Sequence, residues 1–136
     1  MKVIVCLDDK GGMFFNNRRQ SRDRVLNADV VSTVSGHRLL ASPYSKMLFE
    51  GSDAALECRD DFLEVACEDD YCFVEDRALS RFADAIDKII IYRWNRRYPT
   101  DLFFDLDVGA LGFKKVAITE FEGSSHEKIT KETFER

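Results

Sequence analysis

Short apolar runs, each ended by an acidic or glycine-rich break, organise this chain. Lys2–Leu7 carries Val3, Ile4, Val5 and Leu7, stops at Asp8-Asp9-Lys10-Gly11-Gly12, and so predicts a buried strand. Residues 16–20 are polar and predict a loop. Ser21 predicts an N-cap, with Asp23 in the first turn, where the helix dipole favours a negative charge. Leu26, Val30 and Val34 follow near helical spacing, and Gly36 stands where that helix would stop. Leu39-Leu40-Ala41 within 37–42 predicts a second strand, and Pro43 opens a short helix carrying Met47 and Leu48. Residues 54–58 predict a short strand, 60–66 a short helix with an acidic first turn, and 71–74 another strand. Leu79, Phe82, Ala83 and Ile86 describe an amphipathic helix. Residues 89–92 are a strand, and 102–106 and 116–121 are two more.

Strands alternating with short helices over the first 93 residues predict an α/β sheet with right-handed crossovers. The strand-rich final third adds an antiparallel end, so the sheet is mixed. The last segment reads two ways. Ser124-Ser125-His126-Glu127 matches a capping box and argues for a helix. Ile129 and Phe134, five apart, build no helical stripe, and two threonines favour a strand pairing back on 113–121. No repeat, linker or boundary interrupts the chain, which predicts a single domain over 1–136.

Composition narrows the class. In 136 residues, 45% are hydrophobic and 11 are Phe, which excludes disorder and low-complexity architectures. No apolar run approaches the roughly 20 residues of a membrane span. The first residues reach Asp8-Asp9 too soon for a signal peptide, so a cytoplasmic protein is expected. Cys6, Cys58, Cys67 and Cys72 form no C-x-x-C pair and read as reduced, small core hydrophobes. The formal charge is −5, from 20 Lys+Arg against 25 Asp+Glu, but its layout is uneven. Acids gather at 8–9, 60–61, 68–70 and 75–76, arginines at 18–24 and 93–97.

The arginine group is the most functional in character. Asn16-Asn17-Arg18-Arg19-Gln20-Ser21-Arg22-Asp23-Arg24 places four arginines in seven positions ahead of a helix N-terminus. Guanidinium forks and free helix N–H groups both favour anions: a phosphorylated ligand, a nucleotide or RNA. The plainer reading is a solvated loop paired with the chain's own acids. Asp23, at the helix start, is the candidate catalytic carboxylate, able to assist protonation, or else a simple dipole partner. Asp8 closes the first strand, where ligands gather in α/β sheets. Residues 92–99 interleave aromatics with arginines, as a stacking surface or as a two-faced strand. Asp105-x-Asp107 alone does not make a metal site. Ser124-Ser125-His126-Glu127 has the residue types of a nucleophilic site, although sequence neighbours rarely point at one another.

Taken in order, Val3-Ile4-Val5-Cys6-Leu7-Asp8 with Gly12-Met13, Ser21-Arg22-Asp23-Arg24-Val25-Leu26 and His37-Arg38-Leu39-Leu40-Ala41-Ser42-Pro43-Tyr44-Ser45 resemble the dihydrofolate reductase family. Phe73-Val74-Glu75-Asp76-Arg77-Ala78, Ile89-Ile90-Ile91-Tyr92, Tyr98-Pro99-Thr100-Asp101-Leu102-Phe103-Phe104 and the closing Ser124-Ser125-His126 extend the resemblance along essentially the whole chain. It implies a three-layer α/β fold with a mostly parallel sheet and a C-terminal antiparallel hairpin, which makes 127–134 a strand. It also implies that Asp23 occupies the place of the substrate-gripping carboxylate.

The departures fall on the cofactor motifs. The family's Arg and Thr at the start of the second helix are replaced by Ala41-Ser42-Pro43-Tyr44-Ser45. Its Gly-Gly turn is replaced by Glu75-Asp76, two carboxylates where a diphosphate would lie. Its first-loop Trp is missing, and Trp94 is the chain's one tryptophan. A ribonuclease Z-like centre is excluded too, because His37 and His126 do not supply a metal-binding cluster.

The resulting expectation is a divergent member binding an anionic or nucleotide-like small molecule between the 8–24 loop, Asp23 and the turn after Val74. Asp8, Asn17, Arg18, Arg19, Arg22, Arg24, Ser42 and Glu75 would line that site. An NADPH-dependent reductase, with its nicotinamide held differently from the family norm, is one form of this reading. The alternative is a non-catalytic module binding RNA or a protein through Arg18, Arg19, Arg22 and Arg24.

Overall fold

Residues 1–136 are described by the computed structural model. In chain order, β1 (Lys2–Leu7) leads into a small hairpin of β2 (Gly12–Phe15) and β3 (Arg18–Arg19). Helix α1 (Arg24–Thr33) follows, then β4 (Arg38–Ala41) and a 3₁₀ turn, Pro43–Ser45, that runs into α2 (Lys46–Phe49). After β5 (Ala55–Cys58), α3 (Phe62–Val65) and β6 (Tyr71–Phe73), a 3₁₀ stretch over Ser80–Ala85 leads to β7 (Lys88–Arg93). The chain closes with β8 (Leu102–Phe103), β9 (Lys114–Phe121) and β10 (Ile129–Glu135).

Seven strands form the main sheet in the order β5-β4-β6-β1-β7-β10-β9. The first five run parallel, and β10 pairs antiparallel with both β7 and β9. The central strands are apolar on both faces because both faces are covered. Val3, Val5, Leu40, Ile89 and Ile91 pack with Phe62, Leu63, Leu79 and Ile86 on one side. Ile4, Leu39, Ile90 and Tyr92 pack with Leu26, Val30 and Phe49 on the other. This alternation gives the three layers. The edge strand β9 is solvated, with Val116 and Ile118 exposed. No helix is long and apolar enough to cross a membrane. The four cysteines are unpaired, but only Cys72 is a core residue: Cys6 and Cys58 are half-buried and Cys67 is exposed.

Four local expectations need correction. The polar stretch 16–20 is the tip and second arm of a β-hairpin: Asn16 and Asn17 adopt φ of 51° and 59°, the left-handed pair of a tight two-residue turn. Asp23, not Ser21, caps α1, with extended backbone at φ −150°, ψ 124°. The amphipathic segment near 79–86 is 3₁₀, its start fixed by the Asp105 carboxylate, which accepts from the N–H groups of Leu79 (2.8 Å) and Ser80 (3.0 Å). The strand near 102–106 shrinks to Leu102–Phe103, which joins the hairpin in a separate three-stranded sheet, β3-β2-β8. The last segment is the strand β10, so the S-x-x-E match starts no helix and lies in the connection from β9.

Candidate functional site

The carboxyl end of the sheet is built around Asp23. Its Oδ1 accepts from Val25 N (2.9 Å), Leu26 N (3.1 Å) and, across the fold, Ser124 N (3.0 Å). Its Oδ2 accepts from Ser125 N (2.8 Å), Ser125 Oγ (3.2 Å) and His126 Nδ1 (2.9 Å). The β9–β10 connection comes this close only because position 123 is glycine: a Cβ there would stand 2.3 Å from Asp23 Oδ2. Burial opposes ionisation of Asp23, but the His126 bond and the backbone N–H groups outweigh it and hold the carboxyl well below the ordinary range. With Nδ1–H donated to the carboxylate, His126 turns Nε2 toward Ser21 Oγ (3.1 Å) and Tyr98 OH (3.0 Å). Trp94 stacks on the imidazole, with centroids 4.5 Å apart and planes 28° from parallel.

A second latch ties the hairpin to the end of β6. Arg19 donates from Nε to Glu75 Oε2 (3.0 Å) and from Nη2 to Oε1 (2.9 Å), and Ser45 Oγ donates to the same Oε1 (2.7 Å). The guanidinium also lies 4.4 Å over the Tyr44 ring. Both partners of this ion pair are largely buried. Beneath them the space bounded by Cys6, Gln20, Ser21, Glu75 and Trp94 is about 10 Å³, too little for a ligand. Asp8 is likewise committed to the chain, accepting from Lys10 N (2.9 Å), Gly12 N (2.8 Å) and Tyr98 N (3.1 Å). Burial works against its ionisation, and these backbone bonds more than offset it, so its carboxyl also stays below the ordinary range. Ser42 is buried, and its hydroxyl has no hydrogen-bond partner.

An open groove lies beyond this closed end, between α1 and α2. It encloses about 510 Å³ and is lined by Arg22, Arg24, Asn27, Val31, Met47 and Leu48, with Asp53 at its border. Neither Arg22 nor Arg24 has a carboxylate partner. Arg18 faces a different hollow of about 270 Å³ with Phe15 and Tyr98. Asn17 sits exposed at the hairpin tip. The residues expected to share one site therefore divide among a closed cleft, an open groove and the hairpin's outer face.

No family model matches the sequence, and no curated protein is similar to it. Among solved structures, the chain is similar to a dihydrofolate reductase from Enterococcus faecalis complexed with NADP(H) and RAB-propyl. The TM-score is 0.68 at 11% identity, over 99% of this chain and 95% of that one. This chain has the dihydrofolate reductase fold.

Within that fold, the residues at the end of β6 do not fit a dinucleotide diphosphate as they stand. Glu75 and Asp76 present carboxylates there, and the nearby cations Arg19 and Arg77 are bound to them. Ser21, expected only as a helix cap, belongs to the site. Ser21 and His126 lie 105 positions apart and meet only through the closing hairpin. The residue types around His126 were the visible signal, and the lone tryptophan was a second. Met47 and Leu48, expected as positions of a short helix, also line the groove, and Asn27 joins them there.

Proposed function

We propose that this chain binds a small anionic molecule in the groove between α1 and α2 of a dihydrofolate reductase fold. One observation carries the reading: Arg22 and Arg24 border the open groove with no carboxylate of their own, whereas Arg19 beside them is neutralised by Glu75. Unpaired guanidinium groups bind carboxylate or phosphate through forked hydrogen bonds. Val31, Met47 and Leu48 supply an apolar wall for the ligand's body, and Asp53 at the rim accepts from an N–H or O–H group on it. The preferred ligand is a carboxylate or phosphate ester with a short apolar portion, a mononucleotide included.

Calorimetry and thermal shift with succinate, benzoate, a nucleoside monophosphate and inorganic phosphate test the reading. Binding to the native state raises the melting temperature, and Arg22→Ala with Arg24→Ala removes the rise. A rise that survives both substitutions would place the anion elsewhere.

A reductase remains the second reading, favoured by the NADP(H) of the similar solved structure. It requires Arg19 to leave Glu75 so that the closed end opens. A rise in melting temperature with NADPH, larger in Glu75→Gln, supports it; no rise removes it. The RNA alternative keeps Arg18, Arg22 and Arg24 as free cations, and its mark is an affinity that falls steeply with salt.

A further inference from the structure

We propose that Ser21 is a nucleophile activated by His126, and that the chain hydrolyses small carboxylic esters carrying a negative charge. The substrate's charge rests on the groove reading above; the nucleophile rests on separate geometry. Asp23 Oδ2, His126 Nδ1, His126 Nε2 and Ser21 Oγ form one connected hydrogen-bond path, with links of 2.9 Å and 3.1 Å. This is the order of roles in a serine hydrolase triad: a buried carboxylate, an imidazole whose Nδ1 proton it holds, and a hydroxyl at Nε2. The tautomer is fixed by the surroundings. Asp23 accepts from four backbone N–H groups and from the Ser125 hydroxyl as well as from Nδ1, so in the neutral imidazole the lone pair lies on Nε2. Trp94, stacked on the ring, and its burial keep the imidazole from turning.

Two other hydroxyls lie near the ring. Ser125 Oγ is 3.3 Å from Nδ1, the nitrogen that already bears a proton, and donates to the Arg22 carbonyl (3.1 Å) and Asp23. Tyr98 OH shares Nε2 at 3.0 Å and is the built-in competitor. Ser21 differs from both in its place: Arg22, Asn27 and Leu48 border both its narrow cleft and the open groove. Acylation requires that narrow cleft, about 10 Å³ as it stands, to widen beside Leu48 so that the other end of an anion held by the guanidinium groups reaches Ser21. The backbone N–H groups of Ser21 and Arg22 make no hydrogen bond within the chain, which leaves donors for the charge that develops on a carbonyl oxygen.

The reaction balances with water as the only co-reactant. Ser21 Oγ bonds to the ester carbonyl carbon as its proton passes to His126 Nε2. The tetrahedral adduct expels the alcohol, which takes that proton, and leaves an acyl-Ser21 ester. Water then attacks the acyl carbon, giving one proton to Nε2. The bond to Oγ breaks, Ser21 recovers the proton, and a carboxylic acid departs.

The test uses the full chain with p-nitrophenyl acetate and mono-p-nitrophenyl succinate, following p-nitrophenolate release and mapping the acyl group by peptide mass spectrometry. A burst of one p-nitrophenolate per chain is expected, with the acyl group on Ser21. Ser21→Ala loses the adduct and slows release by about 100-fold or more. Ser21 takes no part in holding Asp23, so that variant folds, and Ser21→Cys restores acylation as a thioester. Asp23 is a positioning residue: Asp23→Asn slows acylation while the groove keeps its affinity for succinate. No adduct on Ser21, an adduct on Tyr98 or Ser125, or an unchanged rate in Ser21→Ala overturns the proposal. The succinate ester acylates about tenfold faster than the acetate, and Arg22→Ala removes the difference. Equal rates on Ser21 sink the groove reading alone. Succinate binding by calorimetry without acylation sinks the nucleophile alone.

Discussion

The two ends of the cleft use the same residue type in opposite ways. At the closed end Arg19 is held between Glu75 and the Tyr44 ring, and the space beneath is about 10 Å³. A few residues on, Arg22 and Arg24 border about 510 Å³ with no acidic partner. Arginine density in a sequence therefore says little until each guanidinium is matched with its own carboxylate. Where the match is made, the arginine closes structure; where it is missing, the charge is left for a ligand. Asp23 shows the converse. A carboxylate placed to face a ligand in the resembling family is here saturated by the chain's own donors, and any chemistry it supports passes through His126.

Breaking the closed end has the largest effects on stability. Asp23→Ala removes a cap and strands the buried donors of the β9–β10 connection, so unfolding in urea should show a loss of about 3–5 kcal/mol. A loss under about 1 kcal/mol would mean that Asp23 acts as a helix cap alone. The folded-state pKa of Asp23 is depressed, so its contribution is complete above the ordinary value of 3.8 and is lost as pH falls toward the folded value. Asp23→Ala therefore also shows a smaller decline in stability as pH falls below that value than the parent chain. Arg19→Ala leaves Glu75 buried beside Ser45 without its cation and costs about 3 kcal/mol in the same assay; a neutral result would show that the latch contributes nothing. Gly123→Ala forces a Cβ into the Asp23 carboxylate and costs about 1–3 kcal/mol, and the upfield ring-current shift expected for His126 stacked on Trp94 should diminish. Arg22→Ala with Arg24→Ala stays within about 0.5 kcal/mol of the parent, because neither side chain holds structure, while anion affinity falls about tenfold.

Much of the fold is legible locally. The β-branched runs at 3–5 and 89–91 predict strands, and both are buried strands of the main sheet. The end of the chain was locally ambiguous, since a capping box and an alternating pattern overlap there; the family resemblance decided it as strand. The hairpin was missed because Asn16-Asn17 was weighed as polarity, when its tolerance of positive φ is what makes a two-residue turn. The candidate site was less legible for a different reason. Arg19 and Glu75 are 56 positions apart and Asp23 and His126 are 103 apart, and nothing in hydrophobic periodicity encodes such pairings. Sequence could name Arg19, Arg22 and Arg24 together; only the sheet's topology separates the one that is paired from the two that are free.

Which end of the cleft accepts a ligand is read directly by an amide-resolved NMR titration of the full chain with succinate. The largest shift changes should fall on Arg22, Arg24, Asn27, Val31 and Leu48, with Val74 and Glu75 unmoved. Changes centred on Ser42, Val74 and Glu75, or none at millimolar succinate, would contradict it.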